Sequence, residues 1–310
     1  MQKQFTIASP NSTEHIKEIN NLLTHELRDS GLKWRYEEEY PLLLSPTTHQ
    51  QSTCVFHDNE VAAHANLFPR KLIHASGQKS FNIGLIGNVA TSKKYQRQGL
   101  QYKLMEHLEK TALLQNVDAL ILWSDLYEFY QKLGFASTGR EIRYMFARNP
   151  NAQSSSLDLQ DVEELSDCEL LQMLSMRPKM EWNLERSTSD FAKLLTIPNT
   201  SLYTSKKNQK ISSFYIVGKG SDMQGVIHEW GTNDRLRLMH DIRSIILQTH
   251  LEGVQLLAPI NLPSSFKQVF DTWATSKEEH SMCWAKPIGL NGIAAIKAIA
   301  SSFIWGLDSI

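Results

Sequence analysis

Six residues, Gln96-Arg97-Gln98-Gly99-Leu100-Gln101, have the makings of an anion site. They separate an apolar run, Ile83 to Thr91, from a helical pattern in which Leu100, Leu104, Leu108 and Ala112 recur every four residues. A helix start leaves backbone N–H groups unpaired at the positive end of the helix dipole, so a phosphate binds there with little added chemistry. Gly99 lets the backbone come close to a ligand, and Arg97 adds a permanent positive charge. The same strand, turn and helix occur in α/β proteins that bind nothing, so the turn alone leaves both readings open. Further along, Phe129-Tyr130-Gln131-Lys132-Leu133-Gly134-Phe135 carries a phenol, Tyr130, among aromatic residues against which it can also simply pack. Two acids stand in unusual places. Asp125 follows the apolar run Asp118 to Trp123, at a strand end where ligands of such sheets gather; the same position can cap the helix that follows. Glu229 interrupts an apolar strand and either faces a cleft or is paired inside the core.

The elements that must position these residues alternate in type. In the first half, Phe5 to Ala8 reads as a strand, and Ser12 or Thr13 caps a helix to about Ser30 with Ile16, Ile19, Leu22, Leu23 and Leu27 on one face. Thr53 to Phe56 and Glu60 to Phe68 read as strands around the turn Asp58-Asn59, followed by a strand over Phe81 to Thr91. The continuous run Asp118 to Trp123 suits a strand buried on both faces, a helix from Tyr127 to Leu133 ends at Gly134, and Arg143 to Ala147 closes the sheet. Asn149 to Ser156 is small, polar and proline-bearing, and marks a boundary between domains 1–149 and 150–310. Beyond it the order recurs: strands Ser201 to Thr204, Ile211 to Val217 and Gly225 to Trp230, a helix from about Leu236 to Leu247, a strand Val254 to Pro259, a helix Phe266 to Trp273 and a strand Ser281 to Ala285. The fold class is α+β, a mixed sheet flanked by helices and duplicated.

Composition sets further bounds. The 310 residues exceed one usual domain, and 41% of them are hydrophobic. With 32 basic and 33 acidic residues nothing suggests an electrostatic grip on nucleic acid or a membrane. Cys54, Cys168 and Cys283 lack the spacing of a zinc or redox pair and read as reduced thiols, mostly buried. The opening Met1-Gln2-Lys3-Gln4-Phe5 has no apolar signal core and no stretch has bilayer length, which predicts a cytoplasmic protein. Gly292 to Phe303 is a short apolar helix that covers a sheet or a partner subunit. His228-Glu229-Trp230-Gly231-Thr232 begins like a helical zinc motif and fails at Thr232, and the eleven histidines show no metal spacing, so no metal is expected.

Taken together, the turn and the Tyr130 segment resemble the GNAT superfamily of acyl-CoA-dependent N-acyltransferases. Gln96 and Gly99 match the family's Gln/Arg-x-x-Gly-x-Gly/Ala turn, where Gln101 replaces the last small residue; Tyr130, Gly134 and Phe135 match its Tyr-x-x-x-Gly-Phe completely. The likeness spans Phe81 to Phe146 and, more loosely, the first half. It implies that backbone groups of Val89, Ala90 and Thr91 align the pantetheine arm of acetyl-CoA. Gln96, Arg97, Gln98, Gly99, Leu100 and Gln101 then hold its pyrophosphate. It also implies that Tyr130 protonates or hydrogen-bonds the departing thiolate, with Tyr127 as a possible substitute. Many relatives place a base glutamate on the central strand, whereas Asn82 to Thr91 contains no carboxylate. The base is then Asp125, Glu229, water, or the carboxylate of Ile310, because tandem members of the enhanced-intracellular-survival type use their C-terminal carboxylate. The aromatic tail Phe303 to Ile310 suits that role, or docks for packing alone.

In the second half, the matching turn Gly231-Thr232-Asn233-Asp234-Arg235 has no counterpart of Gly99 and carries an acid near the helix start, which would repel an anion. This predicts a degenerate GNAT-like domain that shapes the acceptor site or an oligomer interface in a monomer or homodimer. The expected activity is transfer of an acetyl group from acetyl-CoA to a small-molecule or protein amine by direct attack. The alternative is a non-catalytic acyl-CoA sensor or scaffold. Acceptor loops fall at Gly31 to Pro46 and Pro69 to Ser80.

Overall fold

A computed structural model of the chain describes residues 4–28, 31–44, 48–149, 157–160, 164–235 and 237–310. Strand β1 (Thr6–Ala8) leads into helix α1 (Thr13–Leu27), whose Ser12 cap accepts from the N–H of His15 and whose Ile19, Leu22 and Leu23 are buried. Strands β2 (Ser52–His57), β3 (Glu60–His74) and β4 (Ser80–Thr91) form an antiparallel meander. Asp58 and Asn59 both take positive φ in its first turn, the left-handed conformation those two residue types tolerate. Pro69 to Ser80, expected as a loop, is instead mostly the far end of the β3–β4 hairpin. Helix α2 (Leu100–Leu114), strand β5 (Ala119–Leu122), helix α3 (Tyr127–Lys132) and strand β6 (Ala136–Ala147) complete the first half.

The second half holds β7 (Asp158–Leu159), α4 (Asp167–Met176), β8 (Trp182–Leu184), α5 (Thr188–Leu195), β9 (Ser201–Lys207), β10 (Lys210–Val217) and β11 (Val226–Thr232). Helix α6 (Leu238–Gln248), β12 (Gly253–Pro259), α7 (Ser264–Trp273), β13 (Ser276–Pro287) and α8 (Gly292–Ala300) follow. Of the expected boundary, residues 150–156 lie outside the described residues, as does Leu236 at the expected start of α6.

One sheet runs through the molecule in the order β1-β2-β3-β4-β5-β13-β6-β12-β11-β10-β9-β7, with β8 pairing β3 off this path. The order is the same read from either end if β1 to β6 are exchanged with their second-half counterparts. Parallel pairs β4/β5 and β11/β12 sit in equivalent places. At the centre β13 and β6 pair antiparallel, with Glu141 opposite His280. Closure of the first sheet by its own last strand, as the sequence suggested, does not occur. Instead β13 of the second half lies between β5 and β6, and β6 lies between β13 and β12. The halves have thus exchanged their final strands.

Side-chain alternation sends neighbouring strand residues to opposite faces. Val55 packs with α2 residues Leu104 and Leu108, whereas Cys54 and Phe56 pack with Ile19 and Leu23 of α1. In the second half Tyr215 and Ile227 share a core with α6, and Phe214 and Ile216 share one with α4 and α5. Cys54 and Cys283 are buried thiols and Cys168 is exposed. No helix among the described residues is long and apolar enough to cross a membrane.

Candidate active site

The ladder between β4 and β5 ends at Leu85↔Ile121, and the two strands then part. On its other side β4 carries a bulge: between the pairs His64↔Ala90 and Asn66↔Gly87, two residues of β4 oppose one of β3. Asn88, in the bulge, takes φ 53° and is fixed from three directions. His64 donates from Nδ1 to its carbonyl (2.9 Å), Tyr36 donates to its Oδ1 (2.8 Å), and its own Nδ2 donates to Asn66 Oδ1 (2.9 Å). Burial brings the His64 imidazole down to about 4, so the ring stays neutral, with Nδ1 carrying the proton that a carbonyl partner requires. A β-bulge aims backbone groups of the strand at a new direction; here the re-aimed stretch, Val89 to Thr91, borders the opening.

Beyond Thr91 the chain makes the turn singled out in the sequence. Gln96 Nε2 donates to Thr91 O (3.2 Å), tying the turn back to β4. Arg97 (φ 61°) and Gly99 (φ 72°) are both left-handed, and a Cβ placed on Gly99 would meet nothing within 4 Å. Backbone conformation, not crowding, is therefore the reason for glycine at 99. Gly99 caps α2 without a side-chain hydrogen bond and the first turn of α2 holds no acid, so its N–H groups point outward uncompensated. The donor set suits an anion, and Gln101 in the family's small-residue position leaves its own N–H in place.

Two cavities meet along β4. One, of about 460 Å³, is lined by Ala90, Thr91, Gln96, Arg97, Gly99 and Gln101. The other, of about 400 Å³, is lined by Gly87, Asn88, Tyr130, Lys219, Asp222 and Ile310, and both share Leu27, Val89, Gln101 and Leu126. Leu100 is buried but borders the 460 Å³ cavity, while Gln98 is exposed and lines neither cavity. Tyr130 is 4% exposed, and burial pushes its phenol up to about 12. Helix α3 holds it between Phe129 and Phe135, each ring meeting it edge to face.

The other sequence candidates separate. Ile310 reaches the cleft: an ideal Cβ on Gly87 would lie 3.0 Å from the Ile310 backbone carbonyl carbon, so only glycine admits the tail here. Asp125 is exposed, accepts from the Tyr127 hydroxyl (3.3 Å) and lines neither cavity. Glu229 is fully buried on β11 and takes hydrogen bonds from Arg186 (2.7 Å) and Arg177 (3.4 Å); it too lies outside the cleft, as the paired core acid of the alternative reading. In the second half Asp241, in the first turn of α6, accepts from Ser213 (2.8 Å) and Tyr215 (3.1 Å), so a carboxylate already occupies the helix start.

Four residues that sequence reasoning missed complete the site. Asp222 is the only aspartate or glutamate lining the 400 Å³ cavity among the described residues, and Arg28 donates to it (3.0 Å) from the other half of the chain. Leu27, Arg28 and Asp222 also border a wider groove of about 1060 Å³ that opens beside the cleft. Glu39 clasps the halves together, accepting from Arg28 (2.8 Å), Trp34 (2.7 Å) and the N–H and hydroxyl of Ser221 (3.1 and 2.7 Å). Burial pushes the Glu39 carboxyl up, but these donors together hold it below its ordinary value. Lys219 lines the cleft and donates to Gly306 O (2.9 Å), Ser309 Oγ (3.2 Å) and Ser309 O. Lone charges carry no periodic signal.

A family model described as acetyltransferase (GNAT) domain matches residues 12–138. No curated protein matches the chain in sequence. Solved structures do match in fold. A GCN5-related N-acetyltransferase from Kribbella flavida is 12% identical, with a TM-score of 0.66 over 95% of this chain and 74% of that one. Eis1 from Mycobacterium abscessus is also 12% identical, at 0.59 over 95% and 76%. An N-myristoyltransferase from Saccharomyces cerevisiae with bound myristoyl-CoA is 9% identical, at 0.59 over 93% and 80%. At these identities the likeness is one of fold. Residues 12–138 thus match a GNAT acetyltransferase domain, and the chain has the GNAT fold, with the bulged and parted β4 and the uncapped helix start in its first half.

Proposed function

We propose that the chain moves an acetyl group from acetyl-CoA to a primary amine by direct attack, with residues 1–149 as the catalytic domain and 150–310 as a degenerate copy that completes the acceptor side. The meeting of Tyr130, the bulged β4 and Ile310 in one cleft carries this reading. The turn Gln96 to Gln101 binds the pyrophosphate through backbone N–H groups and Arg97. Val89, Ala90 and Thr91 hold the pantetheine arm against β4, and a backbone N–H of this stretch stabilises the oxyanion.

An acceptor amine arrives protonated, with an ordinary pKa near 10, and must lose a proton before its lone pair attacks. The terminal carboxylate of Ile310 accepts that proton, directly or through one water. As the new C–N bond forms and the C–S bond breaks, the second proton of the attacking nitrogen passes through water to the departing sulfur, which leaves as the thiol, while Tyr130 donates a hydrogen bond to the thiolate as it develops. Asp222 and the groove beside it border the acceptor's approach. Asp125 and Glu229 have no part in this scheme, the first being exposed outside the cleft and the second locked in an ion network.

The test compares the 310-residue chain with one lacking Ser309 and Ile310. Acetyl-CoA affinity by calorimetry should stay within about threefold, while thiol release over an amine panel falls about 100-fold, the range of a lost general base. Equal rates for the two chains would refute the role of Ile310. Binding of acetyl-CoA without turnover of any amine by the intact chain would point to a sensor.

A further inference from the structure

The second half has its own opening between parallel strands, and the chain's tail fills it. Pairing of β11 with β12 ends at Ile227↔Leu256, as that of β4 with β5 ends at Leu85↔Ile121. Two residues further lie Glu229 in β11 and Gly87 in β4. Where β4 borders an open cleft, β11 meets the tail. Trp305 meets Trp230 edge to face at 6.2 Å in the core shared with α6, whereas Leu307 packs with Phe214 and Ile216 in the core on the opposite face. The tail therefore crosses the sheet at Gly306. There an ideal Cβ would stand 2.6 Å from the ring of the buried His228, so a side chain would block the passage.

Past the crossing the tail is gripped. Arg186, its side chain fully buried, donates from Nε and Nη2 to the two oxygens of Asp308 (3.2 and 2.5 Å) and from Nη1 to Glu229 (2.7 Å). Arg70 of the first half stands 3.8 Å from the same aspartate. A two-point arginine–carboxylate fork fixes direction as well as distance. Lys219 then holds the carbonyls of Gly306 and Ser309 and the Ser309 hydroxyl. One residue later the chain meets Gly87 of β4.

We propose that the opening in the second half, the counterpart of the cofactor cleft, is a socket for the chain's own tail, and that Arg186 and Lys219 are positioning residues that set the Ile310 carboxylate against β4. This rests on the reading of that carboxylate as the base. Glu229 serves by holding Arg186 in line, which gives an unexpected acid in an apolar strand a use outside the chemistry. The same filling accounts for one cofactor site per chain: the second cleft is occupied by protein.

The test uses Lys219→Met and Gly87→Ala, which act on the tail from opposite sides, each alone and combined with loss of Ser309 and Ile310. In the intact chain each substitution should lower kcat about 10- to 100-fold with little change in acetyl-CoA affinity, the loss expected when a reacting group is displaced. Combined with the truncation, neither should cost more than about twofold further, because the group it positions is gone. Carboxypeptidase should release Ile310 and Ser309 from Lys219→Met faster than from the parent, followed by mass spectrometry on folded protein. Costs that multiply with the truncation, or an unchanged release rate, would overturn the socket while leaving the carboxylate's role intact. A truncation that leaves kcat unaltered would refute that role, and the socket's purpose with it.

Discussion

Replacing Tyr130 by phenylalanine removes one oxygen from a side chain that is otherwise packed between two rings. The size of the effect follows from its environment. Burial raises the phenol to about 12, whereas a free thiol ordinarily sits near 8.5. Complete transfer of the proton to a thiolate is therefore uphill by about 3.5 units, or roughly 5 kcal/mol. The proposed role is therefore that of a hydrogen-bond donor to a developing negative charge, worth about 1.5–3 kcal/mol. Such a loss lowers kcat by between about 10- and 150-fold. Acetyl-CoA affinity should change by less than about threefold, because the bond forms only as the sulfur departs. The assay is thiol release at saturating acetyl-CoA and amine, with calorimetry beside it. Between pH 6 and 10 the rate profile should keep its shape, since a phenol at about 12 does not titrate in that window. A loss under about threefold, a parallel fall in affinity, or disappearance of a limb near pH 9 would refute this role.

Other outcomes follow from the same geometry. Arg97→Ala should weaken acetyl-CoA binding about 3- to 10-fold with kcat at saturation nearly unchanged, and calorimetry at two salt concentrations should show the difference shrinking as salt rises. Asp125→Asn should leave kcat within about twofold, since the residue is exposed and outside both cavities; a hundredfold loss in the steady-state assay would return it to the chemistry. Stability should decline on acidification below about pH 6.5. Burial depresses His64 to about 4 and His228 to about 3, so the unfolded chain binds protons that the folded chain refuses. Their contribution is complete above the unfolded value near 6.5 and is lost as pH falls through the folded values, at about 1.4 kcal/mol per pH unit for each ring. Urea midpoints measured from pH 7 to 4.5 should track this, and a flat profile would contradict it.

Features governed by neighbours in sequence were legible. The turn at Gln96 to Gln101, the stripe of α2 and the order of elements in the first half and from Ser201 onward depend on local spacing, and each is found where expected. Helices α4 and α5 were legible too, through Ser166 with Glu169 and Ser187 with Asp190, cap patterns that the boundary reading passed over. Strand β6 was not: only Arg143 to Ala147 alternates clearly, whereas the strand begins at Ala136 because β13 supplies a partner along its length. Non-local pairing leaves no periodic trace in either strand. Arg186, Lys219 and Asp308 were unreadable for a related reason. A charge destined for burial with a distant partner looks, in sequence, like one on the surface.

The exchange of β6 and β13 also sets a timetable for synthesis. When β6 leaves the ribosome, the edge of β5 that will receive β13 is bare, and it stays so until Pro287 has been added roughly 140 residues later. At about 5–20 residues per second that interval is on the order of 7 to 28 seconds. Through it the nascent first half carries an apolar strand, Ala119–Leu122, with one side open to any passing chain. The interval is thus written into the strand order, and it ends only as the second half arrives to cover the edge.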